Sequence, residues 1–216
     1  MKKRIQKGET LVLDIDDLAF GARGVARYDD FVWFVERGIP GQRVRARVIQ
    51  IKRSYGEAFV EEIIEPSPYQ EDPPCPYFGI CGGCQLQHLN YDKQVEAKSR
   101  QINEILERIG GLKDVEILPT IPAQKIYGYR NKMEFSFSDK RWLVDGESGD
   151  KPQDFALGLH VPRRFDKVLD IDGCLLQGET CNRVLKTVKE LVCQTELGPY
   201  SIRNHTGFYL HRHWLC

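Results

Sequence analysis

Apolar and polar residues alternate with a period of two through most of the first sixty-five positions. Leu11, Leu13 and Ile15 alternate with polar or smaller neighbours, Phe31–Val35 is β-branched and aromatic, Val44, Ala46 and Val48 alternate with arginines, and Ala58–Val60 closes the series. A two-residue period places successive side chains on opposite faces of a strand. Gly21, Gly24, Asp29-Asp30, Gly38, Gly41 and Gly56 supply turns between the runs. The pattern predicts five short strands over residues 1–65, hence a small barrel of the OB type, a fold that commonly binds oligonucleotides. Pro66, Pro68, Pro73 and Pro74 then mark a linker. Next, Asn90 is placed to cap a helix over Tyr91–Ile109, with Val95, Ile102, Ile105, Leu106 and Ile109 at helical spacing, Leu89 as a staple, and Gly110-Gly111 as its stop. Period two returns at Met133, Phe135 and Phe137, then in Trp142–Val144, Phe155–Leu159 and Val168–Ile171, with a polar turn over Asp145–Asp154. Thr180–Leu197 reads as an amphipathic helix with Val184, Leu185, Val188, Leu191 and Val192 inward. The expected class is mainly β with α+β: a five-stranded OB-like barrel (1–65), a Pro-rich linker and cysteine loop (66–90), and a central α+β domain (91–216).

Charge changes this picture locally. The chain of 216 residues carries 31 basic and 31 acidic side chains, which by itself argues against nucleic acid. Yet Arg37, Arg43, Arg45, Arg47, Lys52 and Arg53 form a run with no acid among them, and Glu57 to Asp72 holds six acids and no base. A bound phosphate feels the local field and not the total. Arg43, Arg45 and Arg47 share one strand face and stand roughly 6.6 Å apart, a spacing suited to successive phosphates. Trp33, Phe31 and Tyr28 are candidates for base stacking beside them. Arg130 and Lys132 form a second basic patch, although a salt bridge within the sheet explains Arg130 equally well. A solvated barrel face is the ordinary fate of such strands, and RNA is the preferred alternative.

Cysteine spacing carries the strongest chemistry. Cys75-x5-Cys81-Gly-Gly-Cys84 lies in a Pro/Gly-rich loop where thiolates can converge on one metal centre, the paired glycines removing Cβ atoms from a tight turn. An iron–sulfur cluster needs a fourth cysteine, and Cys174, in the turn-like Asp172-Gly173-Cys174, is the best candidate. Zinc competes, but zinc sites usually pair two short knuckles, and here one knuckle sits beside a lone cysteine and a remote fourth. Nothing marks the chain as secreted: the stretch after Met1–Arg4 is cut by Asp14 and Asp16, and no apolar run reaches membrane-spanning length. Disulfides are therefore not expected, and a cytoplasmic location is. Cys181 and Cys193 read as free cysteines filling a core.

Taken in order, the barrel, the Cys75-x5-Cys81-Gly-Gly-Cys84-Gln85-x-Gln87-His88 loop, a helix, Tyr129-Arg130-Asn131-Lys132-Met133-Glu134 and the late Gly173-Cys174 form one series. This series resembles the front part of the bacterial RNA (uracil-5-)-methyltransferases that carry a TRAM domain and a [4Fe–4S] cluster, most closely those acting on 23S ribosomal RNA. The resemblance covers nearly the whole chain. It implies that Cys75, Cys81, Cys84 and Cys174 hold the cluster, which in that family is structural and faces the RNA. It implies rRNA more than tRNA as partner, and the basic residues singled out above, Arg43, Arg45, Arg47, Lys52, Arg53, Arg130 and Lys132, are the expected contacts, in a monomer with no membrane association. In that family a C-terminal domain binds S-adenosylmethionine, a cysteine attacks C6 of a flipped uracil, and a carboxylate removes the C5 proton.

No Gly-rich strand–turn–helix or βαβ succession occurs here, so no catalytic or S-adenosylmethionine-binding residue is assigned. The expectation is a chain that stops before the catalytic half, with an incomplete central sheet ending at Phe208–Cys216, and inactive alone. His211, His213 and Cys216 read more simply as a truncated end than as a metal site. A stand-alone RNA-binding adaptor with a structural metal centre is the alternative, and a redox carrier a weaker one, since no flavin or nicotinamide motif is present.

Overall fold

The computed structural model describes residues 5–113, 115–144, 152–164, 166–201 and 203–215, the last five by backbone alone. The chain forms two compact units, Met1–Pro73 with Gln85–Pro122, and Pro74–Cys84 with Ala123–Cys216.

In the first unit the predicted alternation becomes five strands: β1 (Thr10–Ala19), β2 (Arg23–Tyr28), β3 (Phe31–Glu36), β4 (Arg43–Ile51) and β5 (Tyr55–Glu65). They close into a barrel in the order β1-β2-β3-β5-β4, antiparallel except for the β3–β5 pair. Inward positions Leu11, Leu13, Ile15, Trp33, Val35, Val44, Ala46, Val48 and Ala58 make the core. Trp33 is fully buried, so it fills the barrel and is not available for the base stacking suggested above. Gly56 makes this possible, because a Cβ there would run into the Trp33 ring.

The Pro-rich segment packs against the barrel. Gln42, buried, accepts from the Ile39 amide at 3.0 Å and donates to Gln70 Oε1 at 2.6 Å, and Ser67 Oγ donates to the Pro40 carbonyl at 2.6 Å. Helix α1 (Tyr91–Arg108) starts as expected, with Asn90 Oδ1 accepting from the Asp92 amide at 3.0 Å. It belongs with the barrel, although the sequence suggested that it opens the central domain. Leu89 and Ala97 pack with Leu18 and Ile39, Arg100 pairs with Asp17, and Gln101 Nε2 donates to the Leu18 carbonyl at 2.7 Å. Its docked face is therefore small and polar, and Ile102, Ile105 and Ile109, read from the sequence as apolar positions at helical spacing, are exposed.

The second unit is an antiparallel sheet covered by a helix. Strands β6 (Lys132–Ser138), β7 (Ala156–His160), β8 (Val168–Asp170) and β9 (His211–Leu215) run in the order β8-β7-β6-β9. Helix α2 (Glu179–Cys193) lays Leu185 and Val192 on Met133, Phe135, Phe137, Leu157, Leu169 and Ile171. Two expectations differ here. Trp142–Val144 lies outside any strand, with only Arg141 bridging Val168, and Leu191 is exposed. The tail, read as ending within a strand of the central sheet, forms β9, with Ser136 opposite His211 and Lys132 opposite Leu215. The side chains of the proposed His211/His213/Cys216 group, and most of the Asp145–Asp154 turn, lie outside the described residues. No described helix is long and apolar enough to cross a membrane.

Candidate metal centre and nucleic-acid interface

The cysteine loop is a chain of tight turns. The Phe78 amide donates to the Cys75 carbonyl at 3.1 Å, and the Ile80 and Cys81 amides both donate to the Tyr77 carbonyl. Gly79 takes the left-handed conformation that only glycine adopts cheaply, at φ +83°. Gly82 lies flat against β7, its amide donating to the His160 carbonyl at 3.3 Å and its missing Cβ leaving that carbonyl room. The Gly83 amide points back at Cys81 Sγ, at 3.3 Å.

Cys174 comes from the segment between β8 and α2 and lies within electrostatic reach of Cys75, Cys81 and Cys84. Burial pushes the Cys81 and Cys174 thiols above the ordinary value, and the neighbouring sulfurs push them further. Amides hydrogen-bonded to the sulfurs act in the opposite sense: Gly83 on Cys81, and Leu176 and Gln177 on Cys174. Four half-buried thiols with amide donors on two of them form a donor set suited to a soft metal centre. Among the described residues no group of three or more His, Cys, Asp and Glu side chains is drawn together as a site for one metal ion.

Supporting residues around this set carry no signal in the sequence. Tyr77 Oη accepts from the Asp172 amide at 2.9 Å, and Lys189 of α2 donates to Asp170 at 2.7 Å and Asp172 at 3.0 Å. Burial opposes the Lys189 charge, but the hydrogen bonds and charges of the two aspartates outweigh it and hold its pKa above the lysine norm. Asn182 bonds both main-chain groups of Cys174. Of the two cysteines read as core filler, Cys181 is fully buried and Cys193 is exposed.

The basic run changes character once folded. Antiparallel pairing of β4 with β5 sets the arginines opposite the acidic run: Arg45 meets Glu62 at 2.7 Å, Arg47 meets Glu61 at 2.6 Å, and Arg43 approaches Asp14 of β1 at 3.8 Å. The local dipole inferred from the sequence is thus largely folded onto itself. Lys52 and Arg53, in the β4–β5 turn, are exposed and have no ion pair among the described residues. The β3–β5 register, Val32 with Tyr55, brings that turn to the same end of the barrel as Tyr28 and Phe31. In the second unit Arg130 and Lys132 are exposed at the start of β6. Arg130 touches Met133 Sδ at 3.9 Å, and no described carboxylate pairs with either.

Comparison with known proteins follows this division. The TRAM domain model matches residues 4–60, the strands of the closed barrel. Beyond the barrel the similarity continues through both units. The chain is 37% identical over 211 residues to an uncharacterized RNA methyltransferase of Chlorobaculum tepidum, covering 95% of this chain and 44% of that protein. An uncharacterized RNA methyltransferase of Halalkalibacterium halodurans is 33% identical over 208 residues, covering 96% and 43%. Among solved structures, the Pyrococcus abyssi tRNA (uracil-54, C5)-methyltransferase in complex with S-adenosyl-L-homocysteine superposes with a TM-score of 0.62 at 25% identity, over 94% of this chain and 42% of that one. The chain spans less than half the length of each of these proteins.

Proposed function

We propose that this chain is the RNA-gripping, cluster-bearing portion of an S-adenosylmethionine-dependent enzyme that makes 5-methyluridine in RNA. The observation that carries the reading is the extent of the similarity: it runs through the TRAM barrel, the cysteine loop and the second unit alike. A TRAM barrel alone would support only RNA binding.

In this reading Cys75, Cys81, Cys84 and Cys174 hold a [4Fe–4S] cluster. Around one zinc ion, bonds of about 2.3 Å would pull four sulfurs to within about 3.8 Å of each other. A cluster offers a separate iron to each thiolate and so suits four thiols that are neighbours without being packed on one point. The cluster supplies rigidity to the segment that Cys174 shares with the loop, and the methyl transfer is assigned to no residue of this chain. The RNA is held by Lys52 and Arg53 with Tyr28 and Phe31 at one end of the barrel, and by Arg130 and Lys132 on the second unit. Arg43, Arg45 and Arg47 contribute by exchanging exposed carboxylate partners for phosphates. We propose 23S rRNA over tRNA as the substrate, the motif resemblance favouring the former and the Pyrococcus relative acting on the latter.

The test is anaerobic purification of residues 1–216 with iron, sulfide and zinc assays, followed by binding to rRNA fragments and tRNA in competition. About four irons and four sulfides per chain, lost in Cys174→Ala, are expected. Zinc in place of iron would favour a stand-alone RNA-binding adaptor with a structural metal centre, and RNA binding with no metal would remove the cluster from the reading. Incubation with S-adenosylmethionine and RNA is expected to yield no 5-methyluridine, and its appearance would overturn the assignment of catalysis elsewhere.

A further inference from the structure

Helix α2 begins beside the one cysteine of the set that is remote in sequence. Asn182, in its first turn, aims its side-chain amide back at the preceding segment. Its Oδ1 accepts from the Cys174 amide at 2.8 Å and from Gln177 Nε2 at 2.7 Å, while its Nδ2 donates to the Cys174 carbonyl at 3.2 Å. One side chain therefore holds both main-chain polar groups of a single residue. An amide is suited to this, since it presents an acceptor and a donor side by side, where a carboxylate only accepts. Gly173 leaves the space: a Cβ there would stand 3.2 Å from Asn182 Oδ1.

The same segment is tied from its other side. Tyr77, in the cysteine loop, accepts from the Asp172 amide at 2.9 Å, and Lys189, two turns along α2, bridges Asp170 and Asp172. Residues 170–174 are thus pinned between the helix and the loop, all within the second unit. Cys193, at the far end of α2, is exposed.

We propose that Asn182 is a positioning residue that locks the backbone of Cys174 and so presents its thiol to Cys75, Cys81 and Cys84 in a fixed place. The ligand role rests on the cluster reading above, whereas the clamp concerns the Cys174 backbone and is testable without metal. A remote ligand needs such a device more than the loop cysteines do, because nothing local restrains it to their positions.

The experiment compares the full chain with Asn182→Ala, Asn182→Asp and, as a packing control on the same helix, Leu185→Ala. In metal-free protein, alkylation of Cys174 is followed by mass spectrometry with Cys193 as internal reference. Asn182→Ala is expected to speed Cys174 labelling relative to Cys193 by about tenfold, the scale of two modest hydrogen bonds. Asn182→Asp falls between, and Leu185→Ala changes the ratio little. After anaerobic reconstitution with ferrous iron and sulfide, mild oxidation is expected to give a three-iron electron-paramagnetic signal in Asn182→Ala sooner than in the parent, one corner of the cluster having loosened. Unchanged labelling in Asn182→Ala, or equal acceleration in Leu185→Ala, overturns the clamp. A parent that takes up no iron but shows the labelling pattern overturns the ligand role and the cluster reading while supporting the clamp. A four-iron parent matched in both readouts by Asn182→Ala overturns the clamp and leaves the cluster standing.

Discussion

Gly56 lacks a side chain where the Trp33 ring needs the space, which couples the start of β5 to the centre of the barrel. Gly56→Ala is expected to destabilise the protein by about 1–3 kcal/mol through overpacking. Urea titration would show this as a lower midpoint with an unchanged slope. His88 offers a residue-scale pH test. Burial is the largest influence on it and lowers its pKa, a bond from the ring to the Arg37 carbonyl at 3.1 Å only partly offsetting this. The unfolded chain takes up a proton near pH 6.5 that the folded chain refuses, so this contribution is complete above about pH 6.5 and is lost as pH falls toward the folded pKa. Stability measured at about pH 7.5 and about pH 5.5 should fall with acid in the parent, and less so in His88→Gln. Neither residue announces its role in the sequence. Gly56 reads there as a turn, and His88 as part of a motif.

At the scale of elements, the β4–β5 hairpin decides how much of the basic run is available. Arg45 and Arg47 are about half exposed with their carboxylates at hand, so Arg45→Ala or Arg47→Ala should change stability by less than about 1 kcal/mol. In RNA binding, Lys52→Ala and Arg53→Ala should each reduce the slope of log affinity against log salt by about 1, and the strand arginines by less. Equal slopes for all five would mean that the ion pairs open fully on RNA. Helix α1 gives a second contrast. Its boundaries and Asn90 cap are legible because capping is local. Its docked face is not, because Ala97, Arg100 and Gln101 meet the barrel while the more apolar Ile102–Ile105–Ile109 stripe stays exposed. Polar partners on β1 outweighed the hydrophobic stripe. Ile102→Ser is accordingly expected to shift stability by no more than about 0.5 kcal/mol in denaturant titration.

For the whole molecule, the division into two units assigns consequences. All four candidate ligands belong to the second unit, so if they hold the proposed cluster, its removal by a chelator should lower hydrogen-exchange protection around Phe135 and Phe137 and leave the barrel core around Val35 and Val44 unchanged. Loss of protection in both units alike would place the metal's influence elsewhere. The sequence by itself determined the strands of the TRAM barrel, the Asn90 cap, the tight cysteine loop and the start of β6, because alternation, capping and turn chemistry act over a few residues. Only the tertiary structure decided that the acidic run lies against the arginines, that Trp33 is core, that α1 joins the barrel, and that Asn182 and Tyr77 hold the segment bearing Cys174. Most of these depend on pairing between residues distant along the chain, set by barrel closure and sheet order, and the Asn182 clamp depends on how the segment before α2 turns back on the helix, which no local period encodes.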